Sequence, residues 1–172
     1  MTRRAAAAAP HVRRSALLRP VRTGGRPDVQ APRTGVGLIS SVIHIEGIGE
    51  VYANKLANAG ISTTEAFLEA GATPQGRQVL SEKTGIGHKL ILKWVNRADQ
   101  FRVEGIAEQY SDLLAAAGVE TVLELAQRVP EHLHPKLVEV NETKKLVRHV
   151  PSLEHVAQWV KNARGLTRVV TY

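Results

Sequence analysis

Ile45-Glu46-Gly47-Ile48-Gly49, followed by a run free of glycine and proline from Glu50 to Ala59, is where the chain declares its fold. A glycine–apolar–glycine turn that opens a helix leaves main-chain N–H groups bare at the helix tip, where an oxyanion can seat. The stretch returns 58 positions later as Val103-Glu104-Gly105-Ile106-Ala107, and a third version, Thr84-Gly85-Ile86-Gly87, lies between. At that offset ten of the nineteen positions from Ile45 to Thr63 are identical, where chance gives about one or two. The pattern predicts an internal duplication. Trp94-Val95-x-x-Ala98 also recurs, at an offset of 65, as Trp159-Val160-x-x-Ala163. The second copy has therefore gained seven residues, expected between Val140 and Val150.

Outward from these turns the chain reads as helices throughout. Leu38, Ile39, Val42, Ile43 and Ile45 sit at helical spacing and predict a short helix entering the first turn. Gly60 suits a left-handed helix ending with Ile61 packing back. Ser62 or Thr63 caps the next helix, and Ser62 with Glu65 has the spacing of a capping box. Thr73-Pro74 opens another helix to about Lys83. A longer one runs from His88 to about Phe101, with Leu90, Ile91, Trp94, Val95 and Ala98 on one face. In the second copy Thr121 and Glu124 form a capping box ahead of a helix to about Arg128. Pro130 or Pro135 opens a helix to about Lys145, and Ser152 caps the last one, ending before Gly165. Val150-Pro151-Ser152 stands where the first copy has Gly85-Ile86-Gly87. Leu166 to Tyr172 are apolar enough to pack along a surface, but nothing in the sequence fixes their conformation.

The net charge of +7 belongs to one end of the chain. Residues 1–37 carry eight arginines and one acid, Asp28, so the remaining 15 basic and 15 acidic residues balance. This Ala-, Arg-, Pro- and Gly-rich segment lacks apolar periodicity and reads as a disordered tail. A solvated tail, an upstream extension from a misplaced start, a targeting peptide and a phosphate-seeking basic arm all fit it. The chain has no cysteine, which removes thiol chemistry and fits a cytoplasmic protein. No apolar run approaches the roughly 20 residues of a membrane helix.

Val42-x-x-Ile45-x-Gly47-Ile48-Gly49-x-x-x-Ala53-x-x-Leu56 resembles the helix-hairpin-helix motif. The resemblance implies a tight turn at the first glycine, a DNA phosphate approaching the backbone at the second, and close helix packing at the alanine. The second unit keeps Gly105-Ile106 but carries Ala107 and Ser111 in place of the second glycine and the alanine. From Leu38 to Leu166 the chain is similar to an uncharacterised bacterial family of paired helix-hairpin-helix domains, the domain of unknown function 4332. The Gly-Ile-Gly turns, the Ala-Gly-Ile/Val-x-Thr links, Val140-Asn141-Glu142-x-Lys144-Lys145 and the two Trp-Val segments carry that similarity. It implies an all-α fold of two tandem helix-hairpin-helix units, residues 38–102 and 103–172, behind the tail of residues 1–37.

Three turns are candidate sites. Gly47 and Gly49 can seat a phosphate, with Lys55 further along the helix, but Glu46 and Glu50 flank them and compete for the same positive helix end. Gly85 and Gly87 lie among Lys83, His88, Lys89 and Lys93, with no acid between Lys83 and Lys93, and form the better phosphate seat. The third turn, with Glu104 and Glu108 and without the second glycine, reads as structural. Tyr52, Tyr110, Trp94 and Trp159 read as core rather than base-stacking groups, and Lys144, Lys145, Arg148 and His149 as a solvated basic face. The seven histidines show no metal-ligand spacing. Asp99 and Asp112 are the only aspartates beyond the tail, too few for a two-metal nuclease with glutamates spread over helix starts. The sequence thus favours a non-catalytic binder without cofactor or metal, whose partner is the DNA backbone, read without base specificity. A protein-interaction scaffold is the alternative, and the oligomeric state is left open.

Overall fold

The first turn is tighter than its apolar spacing predicts. In the computed structural model, which describes residues 40–172, Val42–His44 forms a single 3-10 turn rather than a helix. Val42 and Ile45 are buried, while Ile43 is 44% exposed. The tail, Leu38 and Ile39 lie outside the described residues. Eight α-helices follow: α1 Glu50–Asn58, α2 Thr64–Gly71, α3 Pro74–Thr84, α4 His88–Gln100, α5 Glu108–Ala116, α6 Val122–Gln127, α7 Pro130–Lys144 and α8 Leu153–Gly165. The fold is all-helical among the described residues, and none of these helices is long and apolar enough to cross a membrane.

Helix ends follow local chemistry. Gly60 takes φ +84°, and the Ile61 amide donates to the Leu56 carbonyl at 2.9 Å. That bond satisfies a carbonyl the helix leaves free and turns Ile61 into the core. Gly118 and Val119 do the same, with Val119 N–H bonded to Leu114 O at 2.9 Å. The α2 cap is Thr63, whose Oγ1 accepts from the Ala66 amide at 3.2 Å; the predicted Ser62–Glu65 box does not form. Its failure has a plain cause. With Thr63 capping, Ala66 occupies the third helical position, and Glu65 instead accepts a bond from the Thr64 hydroxyl. Thr121 caps α6 as expected, while Glu124 reaches the amide of Glu120 at 2.8 Å. Pro130, not Pro135, opens α7.

Two apolar cores result. One gathers Val42, Ile45, Leu56, Phe67, Ile91 and Trp94; the other gathers Val103, Leu113, Leu114, Leu137, Val156 and Trp159. Helix α4 belongs to the first core through Ile91, Trp94 and Val95, then turns its polar last turn to the second. Gln100, fully buried, donates Nε2 to Val119 O at 3.0 Å and accepts from Ser111 Oγ at 2.6 Å. Arg97 pairs with Asp112. Burial pulls the Arg97 pKa below its usual value, and the negative charges of Glu46 and Glu120 oppose that shift. The amphipathic pattern of α4 marks only half of what it buries, because Asn96, Asp99 and Gln100 are buried as hydrogen-bonded polar groups and Arg97 as an ion-pair partner.

The last residues return to the first core. Val170 is 3% exposed and packs within it. Thr171 N–H bonds Ala72 O at 2.9 Å, and Tyr172 Oη bonds Asn96 Oδ1 at 3.0 Å. Arg77, 2% exposed, donates to Gly71 O at 2.9 Å, Ala72 O at 3.2 Å and Thr171 O at 2.8 Å. A segment with no predicted conformation is thus held as a strap across α2, α3 and α4.

Asp99, beside this strap, has its pKa raised by burial, with the Arg102 hydrogen bond at 2.6 Å acting against the shift. The folded state then holds the Asp99 proton more tightly than the unfolded chain does. Its contribution to stability is present below the ordinary carboxylate pKa of about 3.9 and falls as pH rises through the raised value. Urea titrations at stepped pH from about 4 upward should therefore show Asp99→Asn gaining stability relative to the native protein as pH increases. A constant difference across that window would contradict the assignment.

Candidate nucleic-acid interface

The helices that follow the three glycine turns start without a side-chain cap, as does α7 behind Val129 and Pro130. Thr63, Thr73, Thr121 and Ser152 cap α2, α3, α6 and α8 with their own hydroxyls. Gly49, Gly87 and Ala107, at the starts of α1, α4 and α5, have no side-chain cap. The first bonds into α4 run from the Leu90 and Ile91 amides to Gly87 O, at 2.9 and 3.1 Å. The amides of Gly87, His88 and Lys89 precede them and have no acceptor among the described residues. At α1 the ladder starts with Ala53 N–H to Gly49 O at 2.9 Å, and neither Glu46 nor Glu50 turns its carboxylate onto the free amides.

The glycines of these turns do different work according to position. Gly47 and Gly105 sit at φ +90° and +87°, in the region that penalises a side chain. A Cβ at Gly47 would lie 3.0 Å from Trp94 Nε1, and one at Gly105 would lie 2.9 Å from Trp159 Nε1. These glycines admit the indole that fills each core. Tyr52 packs on Trp94 at 5.0 Å and Tyr110 on Trp159 at 5.1 Å between ring centroids, so all four aromatics belong to packing. Gly49 and Gly87, by contrast, have ordinary φ of −80° and −61°, and a Cβ at either would meet nothing within 4 Å. The fold does not require them to be glycine.

Charge separates the two uncapped Gly-Ile-Gly turns. Around Gly87 stand Lys83, Lys89 and Lys93, all exposed, with His88 half-buried. The turn itself is fixed by Gly85 at φ +67°, and Ser81 Oγ donates to Ile86 O at 2.7 Å. Gly47 and Gly49 are exposed too, but their surroundings are acidic. Glu46 and Glu50 flank the turn, and Glu108 from the third turn comes within 3.7 Å of His44. Lys55 leans over the Tyr52 ring, 5.9 Å from its centroid. The expected seat at Gly47, Gly49 and Lys55 therefore gathers carboxylates, and the seat at Gly85 and Gly87 gathers cations.

The family described as Domain of unknown function (DUF4332) matches residues 46–166, a span that holds all three turns and both tryptophans. The chain belongs to that family. Comparison with curated proteins and with solved structures finds no match. The DUF4332 span begins at the first glycine turn and stops short of Val170, Thr171 and Tyr172, whose anchoring to Arg77 and Asn96 no motif announced. Among the described residues no group of three His, Asp or Glu side chains is placed to hold a metal ion.

Proposed function

We propose that this DUF4332 chain binds the DNA backbone without catalysis and without reading bases, chiefly through the turn that opens α4. One observation carries this. Gly87 is a glycine the fold does not need, at an uncapped helix start with exposed lysines within six residues on either side in sequence. Bare amides and the positive helix end favour a phosphate oxygen there, and the absent side chain lets a phosphate approach. Lys83, Lys89 and Lys93 supply charge that carries no sequence information.

Gly87→Ala should leave the fold standing, since nothing lies within reach of the new methyl. In a titration of labelled duplex DNA at low salt it should weaken binding several-fold, and Lys89→Glu should weaken it more. Lys89→Glu should also flatten the log K against log salt plot by roughly 0.9 for the lost phosphate contact. Unchanged affinity in both variants would end the proposal. The first and third turns favour a different use. Their carboxylates and the His44–Glu108 contact suit a protein partner, so a scaffolding function is the second reading, tested by co-purification of a stoichiometric protein with no DNA shift at low salt.

A further inference from the structure

The loop between α7 and α8 follows the longer of the two corresponding helices and shows a feature the sequence did not mark as a site. Lys145 closes α7 with φ +53°, alone among non-glycine described residues in having positive φ. At the matching helix end in the first half, Gly85 takes that conformation. Backbone of this kind favours glycine or asparagine, and lysine gains nothing from it in the fold. The loop behind it is locked. Asn141, 8% exposed, donates Nδ2 to Val147 O at 3.0 Å and accepts from the Val147 amide at 2.9 Å. Val147 is buried at 6% exposure. This clamp leaves Lys144, Lys145, Arg148 and His149 exposed on a fixed loop, with no acidic residue from 143 to 153. None of these four side chains makes an ion pair or side-chain hydrogen bond among the described residues.

We infer that the loop Lys144–His149 is a second contact to the DNA phosphate backbone, made by side chains rather than amides. It rests on the DNA-binding reading above. Ser152 Oγ already caps α8 through the His155 amide at 3.3 Å, so this end offers no bare helix start like that of α4. Cations stand in its place. The motif Val140-Asn141-Glu142-x-Lys144-Lys145 then has a physical account: Asn141 sets the loop, and Lys144 and Lys145 are what it presents.

Lys145→Gly separates fold from contact, because glycine relieves the backbone while deleting the charge. In the full chain, Lys145→Gly with Arg148→Gln should keep or raise the melting temperature. The pair should weaken duplex DNA binding about three- to tenfold and flatten the salt plot by roughly 1 to 2 units, one per phosphate released. Gly87→Ala, measured alongside, reports on the α4 turn. If Gly87→Ala weakens binding while the loop pair changes neither affinity nor salt slope, the loop is not a contact and the α4 reading stands. If the native chain does not bind duplex DNA at low salt, both fall. A drop in melting temperature for Lys145→Gly would also overturn the inference, since the lysine would then serve the fold.

Discussion

Replacing Arg77 by methionine should destabilise the protein by about 3 kcal/mol, measured by urea unfolding at neutral pH. The guanidinium is buried and faces three carbonyl oxygens, those of Gly71, Ala72 and Thr171, with no carboxylate partner. Burial lowers its pKa, but arginine keeps its proton regardless. Two effects compete in the substitution. Removing a buried charge relieves desolvation, while the buried Gly71 carbonyl at the end of α2 loses its donor and Ala72 O is left with the Thr171 bond alone. Replacing a whole ion pair by apolar groups can be neutral, but here the acceptors are backbone and cannot be replaced. The loss of donors therefore wins. Methionine keeps the stem's packing, so the change reads out hydrogen bonding rather than a cavity. Arg77→Lys should recover only part of the loss, because one ammonium cannot span all three oxygens. Hydrogen exchange should also quicken at Thr171, whose amide bonds Ala72 O. A stable Arg77→Met protein with a protected Thr171 amide would refute the strap.

Gly105→Ala should cost about 2 to 4 kcal/mol, from roughly 1 to 2 for the backbone and a similar amount for crowding. At φ +87° the new methyl would sit 2.9 Å from Trp159 Nε1, an indole only 3% exposed that can move only by disturbing the second core. Gly87→Ala is the matched control and should cost at most about 1 kcal/mol, the difference between glycine and alanine at a helix cap. Equal stability of the two variants would show that the glycines of these turns are not divided between packing and access.

Most of the architecture was legible because it follows from short-range rules. The left-handed glycine at Gly60, the threonine caps and Pro74 are local instructions, and the helices formed where they point. Where two local instructions competed, as with Ser62 and Thr63 or Pro130 and Pro135, spacing alone could not choose. The long-range polar contacts were illegible for a different reason. Gln100 with Ser111 and Arg77 with Thr171 lie 11 and 94 residues apart, and nothing in either residue's neighbourhood names its partner. Of the short helix expected from the apolar spacing of Leu38 to Ile45, the described part is only the 3-10 helix Val42–His44, with Ile43 pointing out.

At the site, the lysines around Gly87 were visible as charge in sequence. That Gly49 and Gly87 are spatially unconstrained, whereas Gly47 and Gly105 are wedged beneath tryptophans, needed three dimensions. The acidic character of the first turn is likewise deeper than its flanking residues suggest, because Glu108 arrives from 58 positions beyond Glu50.

The measurement that bears most directly on the proposal is a duplex DNA titration of residues 38–172 beside the full-length chain, at stepped salt. The eight arginines of residues 1–37 carry charge that would attract phosphate whatever the hairpins do, so the comparison isolates the helical part. Residues 38–172 should bind at low salt, with an affinity that collapses toward physiological salt and weakens on Gly87→Ala. Binding by the full-length chain alone would assign all the affinity to the arginines and leave the α4 turn a purely structural joint.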